Sequence, residues 1–203
     1  MLKIDFKKQD HPLYSAAANV ASMVDVPAMN FLMIDGEGDP NSSKVYQEAV
    51  EALFSMAYAL KFKIKKGSEA IDFGVLPLEG LWWADDPQAF VAGRKAEWKW
   101  TLMIRQPDFI TGEMVAETRS EMLKKKQLSA LNFMRFGNFT EGKCAQILHE
   151  GPFSEEGPTI ERLHSFIQSK GLKLCGKHHE IYLSDVRKAA PEKWRTVIRQ
   201  PVR

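Results

Sequence analysis

Apolar residues recur along this chain with two periods, and the switch between them happens twice in the same order. Met29 to Ile34 form a dense apolar run that stops at Gly36 and Gly38, after which Asp39-Pro40 turns the chain. Tyr46, Val50, Leu53, Ala57 and Leu60 then fall at helical spacing behind Ser42 and Ser43, either of which suits an N-cap. Two strands follow, over about 72–83 and 98–104. The second pass begins with a strand over 144–148 and a turn at Gly151-Pro152. Pro158 fits the first turn of a helix that buries Ile160, Leu163, Phe166 and Ile167, with Gly171 just past its end. Strands over 178–183 and 195–202 complete it. Ile104-Arg105-Gln106-Pro107 recurs as Ile198-Arg199-Gln200-Pro201, closing both passes at the same place. The pattern predicts an α+β chain built from a duplicated strand-helix-strand-strand unit.

Between the units, Thr111 caps a helix with Glu113 and Glu117 early and Lys124-Lys125-Lys126 late, the polarity the helix dipole favours. Leu131 to Phe139 reads as a further strand. Asp85 to Ala96 reads as a surface loop beside the tryptophans, where a lid is the alternative.

The strand over 178–183 carries the candidate chemistry. Alternation sends His178, Glu180 and Tyr182 to one face and His179, Ile181 and Leu183 to the other. Ile181 and Leu183 can seat the second face on a core, which leaves a carboxylate beside a phenol on the first. A solvated sheet face explains the same alternation. Within the repeat, Glu79 is the counterpart of Glu180, with Trp82 and Trp83 after it and Trp98 and Trp100 sharing a face of the next strand. Such a set suits a flat aromatic or cationic ligand; core packing and edge protection are the plainer use. Trp82 and Trp83 point opposite ways in a regular strand, so at most one lines a groove. A carboxylate among aromatic walls loses solvation, and the pKa of Glu180 is expected to rise. Glu180 and Tyr182 are thus the candidate catalytic pair. Glu79, the four tryptophans, His178, Tyr46 and Tyr58 are the candidate ligand contacts.

Bulk composition removes several classes. A length of 203 residues fits one large domain or two small modules, and 44% hydrophobic residues support a core. A net charge of +2 gives no electrostatic case for nucleic acid, and no helix-turn-helix or finger pattern is present. No apolar run reaches membrane-spanning length, and Met1 to Asp10 lacks a signal-peptide core, so the cytosol is the default. Cys144 and Cys175 read as buried thiols. His178 and His179 face opposite ways and cannot share a metal, so no structural metal is expected. Gly36-Glu37-Gly38 is an incomplete dinucleotide pattern, and no P-loop, zincin helix or nucleophile elbow occurs, so no cofactor is expected. His149-Glu150-Gly151-Pro152-Phe153 reads as a structural turn.

Leu148-His149-Glu150-Gly151-Pro152, Glu180-Ile181-Tyr182-Leu183-Ser184-Asp185, Pro191-Glu192 and the closing Thr196 to Val202 resemble the GyrI-like small-molecule-binding superfamily. Pro77 to Trp83, and Trp98 through Asp108, resemble a standalone branch of it. The resemblance implies a single domain over 1–203, with pseudo-symmetric modules at 29–107 and 141–203 joined by 108–140. It implies an antiparallel sheet with helices on one face and a ligand groove between the modules. It also implies that Glu180 matches the glutamate with which drug-responsive regulators meet cations. Some standalone members hydrolyse cyclopropane-bearing pyrroloindole genotoxins, so detoxification by a Glu180-directed water is the expected activity, with Tyr182 as a donor to the substrate carbonyl. Non-catalytic sequestration and gyrase inhibition are the alternatives. Val186 departs from a common proline, and Phe153 from a frequent tyrosine.

Overall fold

The computed structural model describes residues 1–68, 70–125 and 128–203, with the backbone alone for Val91. Lys126 of the predicted lysine run lies outside the described residues. In chain order the elements are β1 (Leu2–Ile4), α1 (Phe6–Gln9), α2 (His11–Tyr14), β2 (Ser22–Val26), β3 (Met29–Glu37), α3 (Lys44–Lys66), β4 (Ile71–Phe73) and β5 (Leu78–Trp83). They continue with α4 (Gln88–Val91), β6 (Lys99–Gln106), α5 (Gly112–Lys125), β7 (Arg135–Phe139), β8 (Gly142–Glu150), α6 (Gly157–Ser169), β9 (His178–Tyr182) and β10 (Arg195–Pro201). The α+β class expected from the sequence is the one observed. Among the described residues, no helix is long and apolar enough to cross a membrane.

The first compact unit comprises 1–9, 29–78 and 82–139. Its middle strand β3 pairs antiparallel with β6 on one side and β7 on the other. Phe31 to Ile34 are all buried, as a continuous apolar run requires when both sheet faces are covered. Ser43 caps α3 by accepting the Tyr46 N–H at 3.2 Å. The helix lays Ala49, Leu53, Met56, Leu60 and Ile64 on β3 and β6, the stripe that the 3.6-residue period prescribes.

Three expectations change here. The strand predicted over 72–83 is two strands, because Pro77 has no N–H for a ladder; β4 pairs parallel with β1, and β5 starts at Leu78. The strand predicted over 131–139 opens as a 3-10 turn at Ser129–Phe133, and only β7 pairs. The 85–96 segment is not a plain loop: it folds into α4 and a 3-10 turn, with Arg94 bound to both Asp86 and Glu97.

The second unit comprises 10–28, 79–81 and 140–203. Its strands run β2-β8-β10-β9, all antiparallel, with the Glu79–Leu81 part of β5 next to β9. Leu163 and Ile167 of α6 pack on Ala145, Ile147 and Ile198, which defines a helix-covered face. Pro158 stands in the first turn of α6, and Gly171 (φ +70°) follows its end in the left-handed conformation that glycine adopts without strain.

Candidate functional site

Strand β9 carries a different polar cluster on each face. Glu180 and Tyr182 are register partners of Ile198 and Thr196 on β10, so they share the face that α6 covers. His179 and Ile181 turn to the other side.

On the helix-covered face, the Glu180 side chain is only 14% exposed. His178 Nε2–H donates to its Oε1 at 3.1 Å, and the Tyr182 hydroxyl donates to its Oε2 at 2.7 Å. Burial alone would raise the carboxyl, but these two donors outweigh it and hold Glu180 below the ordinary carboxylate range. That reverses the expectation of a raised value. The raised carboxyl is Glu156, immediately before α6, which the sequence reading missed. Burial pushes Glu156 far up, and the neighbouring Glu180 charge pushes it further. The two carboxyls are therefore pushed in opposite directions, Glu156 up and Glu180 down.

The turn that delivers Glu156 is fixed from beneath. His149 Nε2–H donates to the Pro152 carbonyl at 3.1 Å, which leaves its Nδ1 to accept from Thr159, 3.1 Å away. Gly151 sits at φ +130°, which only glycine takes without strain. Phe153 is then placed edge-on to Tyr182 (centroids 5.5 Å, 70°) and tilted against Trp194 (4.9 Å, 38°). The Trp194 N–H is taken by the Ala189 carbonyl at 2.9 Å. Phe153, with Trp194 against it, thus packs on the ring whose hydroxyl holds Glu180. Trp194 had a signal in the sequence: the repeat offset that aligns Ile104 with Ile198 also aligns Trp100 with Trp194.

On the opposite face, His179 lies between two carboxylates. Its Nε2 is 3.0 Å from Glu79, and its Nδ1 is 2.9 and 3.0 Å from the two Glu141 oxygens. Arg199 reaches Glu141 at 3.4 Å, Gln146 at 3.0 and 3.2 Å, and the Leu13 carbonyl. Burial works against protonation of His179, but Glu141 and then Glu79 overcome it and push the imidazole up to about 9. His179 and Arg199 balance the two glutamates, which suits charges this deeply buried. The carboxylates grip opposite ring nitrogens rather than converging on a point. Among the described residues, no group of three or more His, Cys, Asp or Glu is placed to hold a metal.

Glu79 therefore belongs to this ion-pair network, on the face of β9 away from Glu180. The repeat could not register it correctly, because the spacing from Glu79 to Glu180 differs from that between the two Arg-Gln-Pro segments.

In the first unit, Tyr46 stacks on Trp82 (6.1 Å, 27°) and meets Trp100 edge-on (5.3 Å, 83°). Trp98 abuts Trp82 (6.0 Å, 71°) and stacks on Phe90 of α4 (4.8 Å, 20°). Trp100 is fully buried and presses on its cross-strand partner Gly36, so it offers no accessible face. Trp82 is nearly as buried, and Trp98 is half-exposed. Trp83 turns to the other side of β5, as alternation required. Tyr58 lies twelve residues beyond Tyr46, ~18 Å along α3, and stacks on the exposed Phe62.

No curated protein matches the chain. Among solved structures it is similar to an uncharacterized conserved protein from Listeria innocua, at 42% identity, TM-score 0.90, covering 98% of this chain and 100% of that one. It is also similar to a hydrolase from Listeria innocua, at 41% identity, TM-score 0.86 and the same coverage. A hydrolase encoded by lin2189 from the same organism is 40% identical, TM-score 0.86, over 99% of this chain and 100% of that one. The model of the GyrI-like small molecule binding domain matches residues 21–203. That span holds every residue of the Glu180 cluster, and the chain belongs to the GyrI-like small-molecule-binding family.

Proposed function

We propose that this protein is a hydrolase that adds water to a strained, electrophilic ring in a flat polycyclic compound of the cyclopropanoid pyrroloindole class. The observation that carries the reading is Glu180: a largely buried carboxylate, kept ionised by His178 and by Tyr182, on whose ring Phe153 and Trp194 build an aromatic cluster. The two Listeria hydrolases, about two-fifths identical over essentially the whole chain, support it.

The water oxygen attacks the cyclopropane methylene while Glu180 accepts a water proton. The ring carbon–carbon bond breaks, and its electron pair moves through the conjugated system to the carbonyl oxygen. That oxygen becomes a phenoxide and takes up a proton, so the net change is addition of one water. A positioned base contributes about 10²–10⁴-fold to such a step. Tyr182 spends its proton on Glu180, so its part is to hold the carboxylate rather than to meet the substrate carbonyl.

Incubation with a cyclopropanoid pyrroloindole, followed by mass spectrometry, tests the reading. A water adduct made by wild type and lost in Glu180→Gln is the expected result. Ligand bound but recovered intact from wild type would refute hydrolysis and leave the protein as a sequestering binder.

A further inference from the structure

Glu156 stands at the N-cap of α6, yet its side chain makes no capping bond. A carboxylate there would gain from the positive end of the helix dipole. Instead the residue is buried, only 6% exposed, and its carboxyl faces Glu180 and Thr196. Its Oε1 and the Thr196 hydroxyl are both buried without a hydrogen-bond partner. Two carboxyls this close and this dry do not both ionise. Glu180 is the one with two donors already aimed at it, so the proton belongs on Glu156. The other titratable groups nearby are accounted for. His178 and Tyr182 are bound to Glu180, and His149 and Arg162 to Thr159. Burial, then the charge of His178, lowers His164 on α6.

We infer that Glu156 is the positioning residue of this site, protonated at rest and donating its hydrogen bond to Glu180, so that a single acceptor direction on Glu180 is left for water. An ionised carboxylate offers about four lone-pair sites. His178, Tyr182 and Glu156 fill three of them. The fourth sets the line along which a water can be deprotonated. The catalytic consequence rests on the reading of Glu180 as a base; the location of the proton does not.

Infrared difference spectroscopy at neutral pH reads the proton directly. Wild type should show a protonated-carboxyl C=O band that disappears in Glu156→Gln and persists in Glu180→Gln. With the cyclopropanoid substrate, Glu156→Leu should lose about 10- to 100-fold in kcat with little change in KM, the effect of removing a hydrogen bond to a charged group. Glu156→Gln, which keeps a donor but cannot ionise, should recover most of that loss. Absence of the band in wild type, its survival in Glu156→Gln, or wild-type turnover by Glu156→Leu would overturn the inference. If no protein turns over substrate, the hydrolase reading fails while the infrared band still decides where the proton sits.

Discussion

Replacing Glu79 by Gln removes one of the two carboxylates that hold the His179 proton while preserving the shape of the buried network. The His179 value rises from 6.5 to about 9 on folding. At ~1.4 kcal/mol per pH unit, that interval corresponds to about 3 kcal/mol of stabilisation. Because the folded value is the higher one, the stabilisation is complete below pH 6.5 and is lost as pH rises through about 9. Glu141 grips Nδ1 with both oxygens and takes the larger share, which leaves ~1–2 kcal/mol to Glu79. Glu79→Gln should therefore be less stable than wild type by that amount at pH 6–6.5. The deficit should close as pH approaches 9. Above it, wild type buries two carboxylates against Arg199 alone, and the variant should become the more stable protein. Urea denaturation followed by tryptophan fluorescence from pH 6 to 10 measures the gap, and the slope due to Glu156 cancels between the two proteins. A gap that stays constant across this range would refute the assignment of the charge to His179.

Gly36→Ala would place a Cβ 2.2 Å from the fully buried Trp100 ring, with no flexible side-chain end to yield. Such overpacking costs at least ~1–3 kcal/mol, and a lowered melting temperature should show it. Leu163→Ala empties a fully buried contact of α6 with Ile147 and Ile198. A loss of ~2–5 kcal/mol is expected in chemical denaturation. Burial drives the Cys144 thiol well above its ordinary range, so native protein should label rapidly at Cys175 and slowly at Cys144 with a thiol-specific reagent. Two rapid equivalents would contradict the burial of Cys144.

Much of the backbone was legible because long apolar stripes and turn residues act locally. Ser43, Pro158 and Gly171 mark helix ends in the sequence and in the structure alike. Alternation also separated Glu180 from His179 correctly. What alternation cannot supply is the identity of a partner across space. Glu141 precedes β8 in a turn, and Arg199 reads as one polar letter in a repeat, so neither announces that it closes a circuit around His179. Glu156 is harder still. Glu155-Glu156 before Gly157-Pro158 has the look of ordinary acidic residues at a helix start, and only tertiary burial separates the exposed one from the buried one. The reversed pKa of Glu180 has the same origin, since desolvation is predictable from neighbouring rings but two aimed donors are not.

The His179 network also has a consequence for how β9 finds its place. A slip of one residue against β10 would exchange the two faces. It would deliver Glu180 to a side already holding Glu79 and Glu141, and leave the His179 cation among the aliphatic side chains beneath α6. Misregistered pairing is thus penalised by charge on both sides of the strand at once. The ion pairs on one face act as a register lock for the carboxylate on the other, and residues that never touch Glu180 keep its address.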